Sequence, residues 1–280
     1  MRELQLPCLS LTGFHTLTYY EWGDPANDRV VICVHGLTRN GRDFDELAKA
    51  LSSDYRVLCP DIAGRGKSEW LSNKAEYSYP VYCADMAALI ARSGAQTVDW
   101  VGTSMGGLIG MLLAAQPKSP IRKLVMNDVG PFIPKASLER LATYVGKAIS
   151  YDSFDAFEQY IRTVSATFGP LTDAQWRHLT ETTAIKKDDG RWGTNYDPAI
   201  SAPFAGPIAD VVLWPFWDPI RAPTLLLRGK DSDLLLSETA RDMTTRGPKA
   251  KLVEFAGIGH APMLMAEDQI AVVRDFLANG

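Results

Sequence analysis

The sequence predicts an α/β protein, a mostly parallel sheet flanked by helices on both faces, with a helical segment inserted late in the sheet. Three observations carry this. Short apolar runs alternate with stretches of helical periodicity from about residue 29 to 128. Runs such as RVVICV (29–34) and TVDWV (97–101) are nearly continuous in apolar character, as strands buried on both faces are. The alternation stops between about 131 and 218 and resumes from 223 to the end of the chain.

In chain order, residues 3–22 hold two extended runs around Gly13, an antiparallel hairpin at a sheet edge. RVVICVHG (29–36) is the next strand, followed by a helix from Arg42 to Leu51 with Phe44, Leu47, Ala48 and Leu51 on one face. YRVLCPDIAG (55–64) is a strand, Tyr82, Met86, Leu89 and Ile90 mark a helix, and TVDWVG (97–102) is a strand. The helix behind Ser104 runs to about Ala115, before Pro117, and RKLVMND (122–128) is a further strand. The stretch 131–218 shows no strand-like rhythm and reads as helices separated by Gly and Pro. It carries Trp176, Trp192, Trp214 and Trp217. PTLLLRG (223–229), a helix near 237–245, KLVEF (251–255) and a helix with Ile270, Val273 and Leu277 on one face complete the core. Repeats and low-complexity tracts are absent from the sequence.

Composition bounds the function. With 46% hydrophobic and 22% charged residues the chain reads as an ordinary globular protein, and 280 residues suit one large core with an insertion. The net charge of −4, with no Lys/Arg run longer than two, gives no footprint for nucleic acid. No apolar run approaches the roughly 20 residues of a membrane span. The start, MRELQLPCLSLTGF, mixes Arg and Glu and reads as mature sequence rather than a signal peptide. Cys8, Cys33, Cys59 and Cys83 show no C-x-x-C spacing, so neither a metal site nor a redox dithiol is expected. Reduced thiols and a cytoplasmic location follow from that pattern.

The chemistry centres on DWVGTSMGGLIG (99–110), in which G-T-S-M-G matches G-x-S-x-G between a strand and a helix. A turn needs small residues, but a nucleophile on a strand-to-helix bend needs them too, and the helix N-terminus beside it offers unpaired N–H groups to an oxyanion. Ser104 is therefore the expected nucleophile. Of the four histidines, His15 lies in the hairpin, His178 on a helix face in the insertion, and His35 at a strand end where it supports a loop. His260, in GIGHAP after the last strand, shares with Ser104 the edge at which loops from strand C-termini converge, and is the expected base. A carboxylate must orient that base. Asp231 and Asp233 in KDSDLLL, and Asp128 after RKLVMN, all occupy that edge.

With these residues in place, the chain resembles the α/β-hydrolases, specifically lipase/esterase-like serine hydrolases with a helical cap. The resemblance spans nearly the whole sequence and rests on His35-Gly36-Leu37, DIAGRGKS (61–68), GTSMGG and GIGH. It implies the α/β-hydrolase fold, with core residues 1–131 and 219–280 and a cap at 132–218. It implies an oxyanion hole from the backbone N–H groups of Leu37 and Met105. It favours Asp233 as the acid, because a subset of such hydrolases carries R-G-x-x-S-D-L-L, matched here from Arg228 to Leu235. Arg65 and Lys67 are read as loop residues without a catalytic part.

The expected activity is hydrolysis of small, apolar carboxylic esters through an acyl-enzyme, with no cofactor and no metal. The expected partner is a small-molecule ester, with no nucleic acid and no membrane span. A lactonase, thioesterase, perhydrolase or C–C bond hydrolase would use the same residues. Epoxide hydrolases and haloalkane dehalogenases carry aspartate where this chain has Ser104. A non-catalytic small-molecule receptor on the same fold is the alternative from another class. Aromatic residues of the cap, including Phe204 and Phe216, either pack it onto the core or wall an acyl pocket.

Overall fold

The computed structural model describes residues 1–279. It opens with an antiparallel hairpin, β1 (Arg2–Ser10) and β2 (Gly13–Trp22). β3 (Val30–Val34), α1 (Asp45–Leu51), β4 (Arg56–Pro60), α2 (Tyr79–Ser93), β5 (Val98–Thr103), α3 (Met105–Ala114) and β6 (Ile121–Asn127) follow. The chain then runs through β7 (Phe132–Ile133), α4 (Lys135–Ala142), α5 (Phe154–Val164), α6 (Asp173–Thr183), β8 (Ala184–Lys186), β9 (Trp192–Thr194), β10 (Val211–Val212) and α7 (Trp214–Trp217). It returns with β11 (Thr224–Gly229), α8 (Ser237–Thr245), β12 (Lys251–Phe255) and α9 (Glu267–Ala278).

Eight strands make the main sheet in the order β1-β2-β4-β3-β5-β6-β11-β12. β2 joins β4 antiparallel, and from β4 to β12 every pairing is parallel. The period of two along each strand divides the core between the two faces. Val30, Ile32 and Val34 of β3 pack on one side with Leu89 of α2, Ile109 of α3 and Met243 of α8. Val31 and Cys33 pack on the other with Leu47 and Leu51 of α1 and Val273 and Leu277 of α9. Both faces being covered explains why these strands read as unbroken apolar runs.

Two local readings needed adjustment. The helix expected from Arg42 begins as a 3₁₀ turn, Gly41–Phe44, with the Asn40 side chain accepting from the Arg42 N–H, and becomes α-helical only at Asp45. The segment after β6, read as purely helical, also contains two strand pairs, β7 with β10 and β8 with β9. Strands of two or three residues are too short to show a period. Within the same segment α6 starts at a capping box between Thr172 and Gln175, and Phe157, Ile161, Trp176 and Leu179 pack with Met263 and Met265.

Candidate active site

The loops after β3, β5, β6, β11 and β12 meet at one edge of the sheet, above the strand C-termini. Ser104 stands between β5 and α3 at φ 51° and ψ −116°, a conformation that costs a non-glycine residue on the order of 1–3 kcal/mol. The surroundings hold it there. The Ser104 N–H donates to the Asn127 carbonyl at 3.0 Å, and the Gly106 N–H donates to the His35 carbonyl at 3.1 Å. The bend also brings backbones too close for side chains. A Cβ on Gly106 would lie 2.0 Å from the Val34 carbonyl oxygen, and one on Gly102 would lie 2.3 Å from that of Gly106.

His260 is brought to this serine, its Nε2 lying 3.0 Å from Ser104 Oγ. Its Nδ1 lies 2.8 Å from Oδ2 of Asp128, a fully buried residue just beyond β6. Asp128 Oδ1 accepts from the Gly229 N–H at 2.9 Å and Oδ2 from the Ser232 hydroxyl at 2.6 Å. A carboxylate so held can fix the imidazole tautomer and favour the imidazolium when it forms.

Asp233, the residue favoured for that position, lies elsewhere. Its carboxylate takes a bidentate pair from Arg140 of α4, at 2.5 and 3.0 Å, and its side chain is 47% exposed. The reason lies in the β11–α8 loop. Ser232 turns inward, where its hydroxyl also accepts the Leu234 and Leu235 N–H groups, so its neighbours Asp231 and Asp233 face solvent. The only sequence signal for the alternative was the position of Asp128 directly after an apolar strand.

The two residues expected at the oxyanion hole flank the serine. Met105 is the first residue of α3, so its N–H has no partner within the helix. Gly36 brings the backbone before Leu37 against Ser104, where its added Cβ would lie 3.6 Å from the serine Cβ. Arg65, fully buried, donates from Nε to the Leu37 carbonyl at 2.9 Å and reaches the Met105 sulfur at 3.7 Å. Sequence reading missed this brace, for which Arg65 in GRGKS gave no distinguishing sign. His35 supports the same loop. It donates from Nδ1 to the Gly36 carbonyl at 2.7 Å and accepts the Ile62 N–H at Nε2, and burial pushes its pKa down to about 3, leaving it neutral. The other histidines are held away from the serine, His15 by Asp85 at 3.0 Å and His178 by the Arg42 carbonyl at 3.1 Å.

Two cavities meet at Ser104 and share Leu37 and Leu141. The smaller, about 100 Å³, has His260, Arg39, Arg140, Tyr144 and Thr167 in its wall. The larger, about 700 Å³, is walled by Met105, Leu108, Ile133, Leu138 and Phe204, among others. None of the four tryptophans between 131 and 218 lines either cavity. Trp176 stacks on Phe168, Trp192 packs edge-on to Phe154, and Trp217 is buried with its indole N–H on the Arg246 carbonyl.

A parallel sheet in this order, with a serine on a strained strand-to-helix turn above the strand ends, defines an α/β hydrolase. A family model described as the alpha/beta hydrolase fold matches residues 29–266, and the chain belongs to that family. It is 48% identical to a 3-hydroxybutyrate-oligomer hydrolase of Cupriavidus necator, over 96% of this chain and 95% of that one. Among solved structures, a Rickettsia typhi protein superposes with a TM-score of 0.92 at 33% identity, covering 99% of this chain and 98% of that one. An alpha/beta hydrolase from Novosphingobium aromaticivorans gives 0.86 at 35%, with the same coverage. No helix among the described residues is long and apolar enough to cross a membrane.

Proposed function

We propose that the chain is a serine hydrolase of carboxylic esters, and that its substrates are esters of short hydroxy acids such as oligomers of 3-hydroxybutyrate. The observation that carries the reading is the unbroken hydrogen-bonded line from Ser104 Oγ through His260 to Asp128. The hydroxy-acid substrate is taken from the Cupriavidus necator relative, similar over nearly its whole length. Residues 132–218 act as the cap, since α4 and β7 contribute Leu138, Arg140, Leu141 and Ile133 to the cavity walls.

In this reading His260 takes the Ser104 proton as Oγ attacks the ester carbonyl, and Asp128 holds the resulting imidazolium. The N–H groups of Leu37 and Met105 stabilise the oxyanion, a contribution worth on the order of 100-fold or more per donor. His260 passes its proton to the departing alkoxide, and water then cleaves the acyl-enzyme by the same relay. Unpaired Cys8, Cys33, Cys59 and Cys83 suit a reducing, cytoplasmic setting. The test is turnover of p-nitrophenyl butyrate and p-nitrophenyl 3-hydroxybutyrate. Ser104→Ala should abolish both with the circular dichroism spectrum unchanged, and retained turnover would refute the assignment.

A further inference from the structure

Ser104 lies where the two cavities join, but His260 lines only the smaller one and Met105 only the larger one. That asymmetry orients the substrate. When the tetrahedral intermediate collapses, the proton on His260 Nε2 must reach the oxygen of the departing alcohol, so that oxygen faces His260. The acyl substituent on the same carbon then points away from His260, past Met105. Resting on the hydroxy-acid ester reading above, we infer that the large apolar cavity is the acyl site and the smaller, less apolar cavity the alcohol site. A 3-hydroxybutyrate oligomer is accordingly cut from its carboxyl end, one unit at a time.

Size and polarity agree with this orientation. The alcohol side of such an ester carries the free carboxylate, which would lose its hydration without compensation against Leu108, Leu138 and Ile133. The small cavity instead offers Arg39, Arg140 and the Tyr144 hydroxyl. Arg39 and Arg140 already bind Asp43 and Asp233, each through two of a guanidinium's five N–H groups, which leaves donors on both. About 100 Å³ suits a single short hydroxy acid, whereas about 700 Å³ accommodates the uncharged remainder of the oligomer.

The steps balance. Ser104 Oγ bonds to the carbonyl carbon of the last ester linkage, and the bond from that carbon to the alkoxy oxygen breaks. The serine proton travels by His260 to that oxygen, releasing one 3-hydroxybutyrate. Water then adds to the acyl-enzyme, gives a proton to His260 and releases the shortened oligomer, as the proton returns to Oγ.

A 3-hydroxybutyrate trimer with ¹³C in its carboxyl-terminal unit tests the direction by mass spectrometry of the first products. Labelled monomer with unlabelled dimer is expected. Labelled dimer with unlabelled monomer, or an even mixture, overturns the inference. A second measurement uses Leu138→Trp, which fills the apolar cavity. Its kcat/KM should fall on the order of 10-fold more for p-nitrophenyl octanoate than for the acetate, and an unchanged octanoate-to-acetate ratio overturns the acyl assignment. Turnover of the p-nitrophenyl esters without any cleavage of the trimer would reject the oligomer as substrate, and the Leu138→Trp ratio would still judge which cavity takes the acyl group.

Discussion

Asp128 meets His260 because β6 ends directly beneath the β12–α9 loop, and because residue 128 adopts φ 55°, turning its side chain inward. Replacing it should therefore be far more damaging than replacing Asp233. Asp128→Asn leaves the shape intact but removes the acceptor that sets the imidazole tautomer, and should lower kcat on the order of 10⁴-fold. Asp233→Asn disturbs only a pair near 40% exposed and should leave kcat within a few-fold of wild type, as such pairs contribute little. Steady-state kinetics on p-nitrophenyl butyrate distinguish the two, and the reverse order would return Asp233 to the site. Why Ser104 and His260 could be paired from sequence while the acid could not is a matter of what sequence records. The strand–turn–helix rhythm around Ser104 and the glycine loop around His260 placed both at one edge. Asp128, Asp231 and Asp233 all share that edge, and the choice among them rests on backbone angles and on which way Ser232 turns.

At the level of elements, the hairpin is fastened to α2 by polar groups that apolar patterning does not reveal. His15 on β2 meets Asp85 on α2 at 3.0 Å, both buried, with Cys8 of β1 beside them. Burial holds the Asp85 carboxyl above its ordinary range, with the His15 hydrogen bond opposing. Removing one partner leaves the other buried and unpaired, so Asp85→Ala should cost about 3 kcal/mol in urea unfolding with kcat unchanged in the folded fraction. A loss below 1 kcal/mol would show the pair to be dispensable. The sheet's long elements were legible because each buries a face and so carries a period. The two-residue strands β7 and β10 were not, since their pairing depends on where a distant segment returns.

For the whole molecule, buried His35 sets an acid limit. Its folded pKa near 3 lies below the unfolded value of about 6.5, so between those values the unfolded chain binds the extra proton. Stability is fully retained above about 6.5 and declines as pH falls toward 3, by up to about 1.4 kcal/mol per pH unit. Burial raises Asp61 to about 6, which acts in the opposite sense, because there the folded state binds the extra proton. A comparison of His35→Gln with wild type cancels that contribution. The variant should have a lower Tm at pH 7, having lost the clamp on Gly36, but a shallower decline in Tm from pH 6 to 4. Equal slopes would show that His35 does not govern the acid side. The placement of Asp128 before residue 132, not after 218, has a different consequence. Ser104 and Asp128 follow the adjacent strands β5 and β6, both complete before the inserted segment begins. Lengthening, trimming or exchanging that segment cuts through neither, so on the proposed reading the cap that shapes the cavities can diversify while Ser104 and Asp128 stay in register.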